Sequence, residues 1–145
     1  MPAKLLRRIA SRTALAAAFT LVVSPVRAEG ASVVDRFYEG VRTGDAAILE
    51  EVLADDAVIR LADLGFDMSK QEFVESMDTW VEVAADMTMR VKPDPDAADT
   101  DETFVRLVCY AFPSNESLTR ETSTVVDGKI TANMQDEIAE TCEGF

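Results

Sequence analysis

This 145-residue chain contains no histidine, which restricts the chemistry its side chains can do. Without an imidazole, Ser-His-Asp and Cys-His nucleophilic catalysis are both excluded, and the commonest ligand of zinc, copper and non-haem iron is missing. No glycine-rich phosphate loop or dinucleotide fingerprint occurs, so neither a metal nor a cofactor is expected. The two cysteines, Cys109 and Cys142, read first as one disulfide of an oxidising compartment, worth roughly 3–4 kcal/mol as a constraint on the unfolded chain. Two buried free thiols are the alternative. If the cysteines are joined, no thiolate nucleophile remains. Acid and base work then falls to carboxylates, tyrosines, lysines and arginines. The densest acidic run, Asp94, Asp96, Asp99, Asp101 and Glu102, invites a calcium reading. It lacks the glycine and the oxygen spacing of a calcium loop, and a solvated loop is expected instead.

The start of the chain has the layout of an export signal. Lys4, Arg7, Arg8, Arg12 and Arg27 are unaccompanied by any acid through residue 28, and they enclose the run Thr13 to Val23, apolar apart from Thr13 and Thr20. That run is too short to cross about 30 Å of hydrocarbon. Val26-Arg27-Ala28 offers a cleavage point before Glu29, with an uncleaved anchor as the alternative. The sequence thus divides into a signal peptide, 1–28, and one domain, 29–145, expected in the periplasm or secreted. Five of the 14 basic residues but none of the 27 acidic ones lie in the leader, which takes the net charge from −13 to about −18 in the remainder. Such a field repels phosphate backbones and anionic lipid, so neither nucleic acid nor, after cleavage, a membrane is an expected partner.

The order of elements follows from apolar periodicity. Val33, Val34, Phe37, Tyr38 and Val41 form one helical face that Gly44 stops; Asp45 caps a second helix, Ala46 to Leu53. Ala54-Asp55-Asp56 then breaks the pattern ahead of a short strand, Ala57 to Leu61. Ser69 with Glu72 makes a capping box that opens a third helix through Phe73, Met77, Trp80 and Val81. From Met87 the period becomes two, predicting strands over 87–91, 103–112, 118–126 and 130–139. A turn at Pro113-Ser114-Asn115 and a tight Asp127-Gly128 hairpin join the last three. Trp80 reads as core.

The stretch Val34-Asp35-Arg36-Phe37-Tyr38-Glu39-Gly40-Val41-Arg42-Thr43-Gly44-Asp45, with Leu49, Leu53 and Ala54-Asp55-Asp56-Ala57-Val58 after it, resembles the opening of SnoaL-like and nuclear transport factor 2-like domains. Asp127-Gly128-Lys129-Ile130 is similar to the final hairpin of the same superfamily. The resemblance implies an α+β fold in which three N-terminal helices pack on a curved, mostly antiparallel sheet, forming a cone with an internal pocket (a cystatin-like roll). It also implies that the parity of the last strand lines that pocket. Pairing outward from the hairpin sets Val125 opposite Ile130, Thr124 opposite Thr131 and Thr122 opposite Asn133. Arg120, Thr122, Thr124, Asn133, Gln135 and Glu137 then share a face with Phe104, Arg106, Val108 and Tyr110. Val105, Leu107, Cys109, Ala111, Val125, Ile130, Ala132 and Met134 form an apolar outer face. A bulge or a slip of one residue would exchange the faces, and on pattern alone Ile130, Ala132, Met134 and Ile138 are equally core residues and the polar row a solvated one.

Three functions compete. In the first, the cone binds a small organic ligand through Arg106, Tyr110, Arg120, Thr122, Asn133, Gln135 and Glu137, with an arginine gripping a carboxylate or sulfonate. An internal salt bridge between these arginines and Glu137 is the alternative. In the second, a carboxylate, Glu137 or Asp136, acts as the base of an isomerase, cyclase or dehydratase. The resemblance places Phe37, Leu61 and Thr122 where ketosteroid isomerases carry a tyrosine, a carboxylate base and a second acid, which disfavours that activity. In the third, the apolar outer face makes a homodimer or an interaction module.

Overall fold

Val34, Phe37, Tyr38 and Val41 are the buried stripe of helix α1 (Pro25–Thr43) in the computed structural model, which describes residues 24–145. Ser24 caps this helix by accepting from the Arg27 amide, and Gly44 ends it with a left-handed φ of 64°. Most of the expected signal peptide lies outside the described residues. Its last residues, Pro25 to Ala28, form the first turn of α1. At Gly30 a Cβ would sit 2.4 Å from the Phe104 ring, so only glycine lets the helix approach the sheet there.

Asp45 caps α2 (Ala46–Val52) through the amides of Ala47 and Ile48. Leu53, expected as the last helical residue, instead opens strand β1 (Leu53–Leu61), which takes in the Ala54-Asp55-Asp56 segment. A 3-10 turn (Ala62–Leu64) and a strand that the sequence did not predict, β2 (Phe66–Ser69), follow. The Ser69–Glu72 capping box is present and opens α3 (Lys70–Glu75). The expected third helix breaks at Ser76, whose hydroxyl donates back to the Phe73 carbonyl, and resumes as α4 (Met77–Val83).

The strands β3 (Thr88–Pro93), β4 (Thr103–Ala111), β5 (Glu116–Val126) and β6 (Lys129–Ala139) complete one six-stranded sheet, in the order β2-β1-β6-β5-β4-β3. All neighbours are antiparallel except β1 and β6. The sheet does not close, and β2 and β3 are its edges. No described helix is long and apolar enough to cross a membrane.

The hairpin register corrects the sequence reading. Val125 does face Ile130, but a bulge at Thr131 then sets Thr124 opposite Ala132, Ser123 opposite Asn133 and Thr122 opposite Met134. Because side chains alternate faces, this one extra residue sends Ser123, Glu121 and Thr119 inward beside Asn133 and Gln135, and turns Arg120, Thr122 and Thr124 away from them. Val125 and Ile130, expected outside, are core residues with Phe37, Leu49, Ile59 and Phe104. On the outer face Cys109 and Cys142 form the expected disulfide, with Cα atoms 5.7 Å apart. Leu118 and Phe145 pack around it, and Phe145 lies under the cations of Arg90 and Lys92.

Candidate functional site

The helices and the inner face of the sheet part at one end to leave a cavity of about 430 Å³. Each wall follows from an element already described. The last turn of α1 contributes Val41; β1 and β2 contribute Leu61 and Met68; the broken third helix contributes Phe73, Met77, Trp80 and Val83. The sheet side is more polar, with Tyr110, Ser117 and Gln135 from β4, β5 and β6. Ser76 and Thr79 add hydroxyls, and none of the lining residues is charged. Trp80 is thus a wall rather than deep core. Its indole N–H donates to the Val41 carbonyl at 2.7 Å, and its ring stands edge-on to Tyr110 at 6.1 Å.

Behind Tyr110 lies the feature that the sequence reading missed. The Glu121 carboxyl is fully buried, and three hydroxyls converge on it: Tyr110 at 2.7 Å, Thr119 at 3.0 Å and Tyr38 at 3.1 Å. Burial raises the Glu121 carboxyl above the usual glutamate range, and the hydrogen bonds oppose that shift without cancelling it. Burial, then the neighbouring carboxyl, pushes both tyrosines well above the ordinary phenol value. Asn133, also buried, donates to Ser123 and accepts from Gln135 at 2.9 Å, linking this sealed cluster to the cavity wall. The signal for Glu121 was present in β5 itself, since period two from Val125 through Ser123 reaches Glu121 without any assumption about the hairpin.

The expected site residues separate into two groups. Tyr110 and Gln135 line the cavity, and Asn133 stands immediately behind. Arg106 is buried and directly opposite Glu121 in the β4–β5 ladder, yet its guanidinium is held by Asp99 at 2.9 Å and 3.0 Å and does not line the cavity. Arg120 faces the other way and binds Asp94 at 2.6 Å. The Asp94 carboxyl is held below its usual range by the Asp96 amide and then by Arg120, against its own burial. Both arginines therefore have partners in the acidic 94–102 loop, and neither contacts Glu137. Thr122 is on the outer row, and Glu137 is exposed, accepting from Ser117 at 2.6 Å. Asp136, opposite Arg120, is on the outer row too. Phe37 is core, stacked on Phe73, while Leu61 is cavity wall. Among the described residues no group of three or more potential metal ligands converges.

No protein-family model and no curated protein matches the sequence. Solved structures do match its shape. IdmH from Streptomyces antibioticus, described as a candidate polyketide cyclase, aligns with a TM-score of 0.62 and 20% identity, covering 75% of this chain and 91% of that one. A protein from Jannaschia sp. CCS1 described as a candidate SnoaL-like polyketide cyclase gives 0.66 at 10% identity, over 82% and 92% of the two chains. An epoxide hydrolase of the LEH-like kind from M. tuberculosis gives 0.57 at 16%, over 78% and 85%. Identities this low carry likeness of fold and nothing finer.

Proposed function

We propose that this chain, whose fold is that of SnoaL-like and nuclear transport factor 2-like proteins, binds a small, uncharged, largely apolar organic molecule in its cone. The observation that carries this reading is the pairing of a cavity of about 430 Å³, within the usual size of ligand pockets, with a lining free of charge. An arginine anchor for an anionic ligand has no support, because Arg106 and Arg120 are engaged by Asp99 and Asp94. Tyr110 and Gln135 are the ligand-contacting members of the set expected from sequence. The binder is read as an exported protein of domain 29–145, and the disulfide supports that compartment.

The test is native mass spectrometry and calorimetry on the secreted form, offered a panel of neutral bicyclic and tricyclic organic molecules. One bound molecule per chain is expected, lost in a Gln135→Trp variant that fills the cavity. Absence of binding across the panel by a folded protein overturns the reading.

One observation favours a catalytic alternative of the isomerase, cyclase or dehydratase type: Tyr110 joins the buried Glu121 carboxyl to the cavity, a path for a proton. Glu137 and Asp136, the bases expected from sequence, lack such a path. Turnover of a bound ligand that disappears in Glu121→Gln while binding persists would establish it. The homodimer reading rests on exposed Val58 and Met134 of the outer face, and sedimentation tests it.

A further inference from the structure

We propose that the cavity selects ligands that donate hydrogen bonds, such as alcohols and phenols, over ketones and ethers of the same shape. This inference rests on the cavity being a ligand site and concerns what that site prefers.

Most of the polar side chains of the lining have spent their hydrogens. Trp80 has one N–H, and it goes to the Val41 carbonyl. The Ser76 hydroxyl lies 2.7 Å from the Phe73 carbonyl, a group that can only accept, so the serine donates. The Ser117 hydroxyl lies 2.6 Å from the Glu137 carboxylate, and the Tyr110 hydroxyl donates to Glu121 at 2.7 Å. Gln135 gives one amide hydrogen to Asn133, whose own amide is turned to Ser123, and among the described residues no protein donor reaches the Gln135 carbonyl oxygen. What the groups at the cavity wall have left for a ligand is chiefly lone pairs, on Ser117, Ser76 and the Gln135 carboxamide. Two donors remain, the second amide hydrogen of Gln135 and the hydroxyl of Thr79, and Thr79 stands at the exposed mouth.

The bias has an energetic consequence. A carbonyl ligand placed against Ser117 opposes lone pair to lone pair, unless the protein gives up an internal hydrogen bond to a charged acceptor. A hydroxyl ligand completes those groups without disturbing them. A neutral hydrogen bond is worth about 1 kcal/mol net, and the carbonyl additionally loses its hydration, so a donor should be preferred by roughly five- to fiftyfold.

Matched pairs test this directly by calorimetry: tetralol against tetralone, and naphthol against its methyl ether, with naphthalene as a purely apolar control. The alcohol and the phenol are expected to bind at least about fivefold more tightly than their partners. In Ser117→Ala the ratio should fall toward one, with tetralone affinity unchanged or improved. If naphthalene binds but tetralone equals or exceeds tetralol, the donor preference is wrong and the cavity reading stands. If none of the five binds to the folded protein, the cavity reading itself fails and takes this inference with it.

Discussion

Glu121 and Arg120 are consecutive on β5 and are accommodated in opposite ways. The inward carboxyl is fully buried and is held by neutral groups alone, three hydroxyls with Asn133 beside them. The outward guanidinium keeps a side-chain exposure of 42% and is matched by a formal charge, Asp94. The comparison shows two routes to tolerating an ionisable group in a sheet. Dipoles on the inside leave the carboxyl raised above its usual range, whereas on the outside the Asp96 amide and the Arg120 partner hold the Asp94 carboxyl below it.

The most damaging way to break the inner arrangement is to remove its donors. A Tyr38→Phe, Tyr110→Phe double variant leaves Thr119 as the one hydroxyl on a buried carboxyl, and a loss of about 3 kcal/mol is expected in urea denaturation. An unchanged midpoint would show that the carboxyl does not depend on the tyrosines. A smaller effect of opposite sign is expected for Glu121→Gln. Burial raises the folded-state value of Glu121, so its contribution to stability is fully present below the unfolded glutamate value and is lost as pH rises through the folded one. Glutamine does not titrate, and the variant should therefore gain on the wild type as pH increases through that range. Parallel stability curves against pH for the two proteins would contradict this. Least costly is Arg120→Ala: Asp94 keeps the Asp96 amide, and the pair is open to solvent on the arginine side, so under about 1 kcal/mol is expected, shrinking with added salt. A larger, salt-insensitive loss would mean that the outer pair is a structural keystone after all.

The same two residues mark how far the sequence could be read. The helical stripe of α1, the Asp45 cap, the Ser69–Glu72 box, the four C-terminal strands and the cysteine pair were all legible, because each depends on residues a few positions apart or on a single chemical fact. So was the parity of β4 and of β6 beyond its bulge, which brought Tyr110, Asn133 and Gln135 to the inner face, although Ile130 before the bulge was expected outside. The parity of β5 was not, because it was inferred across the hairpin, and the unpaired Thr131 shifts that correspondence by one. Arg120 and Thr122 were thereby placed in the cavity, and Glu121 was overlooked. β2 escaped notice since four residues carry too little alternation to register, and the break at Ser76 is local competition for a carbonyl within an otherwise continuous apolar stripe.

The parallel seam between β1 and β6 joins segments from opposite ends of the domain, Ile59 beside Asn133, whereas β3 to β6 are neighbours in sequence. Bringing such distant partners together costs chain entropy that no local contact repays, so the seam should form late. The disulfide, whose cysteines are 33 residues apart and both within the C-terminal half, can close before that event. An early, oxidised meander would then wait for the helical half to dock, and the cavity, walled by both halves, would be the last part of the molecule to take shape.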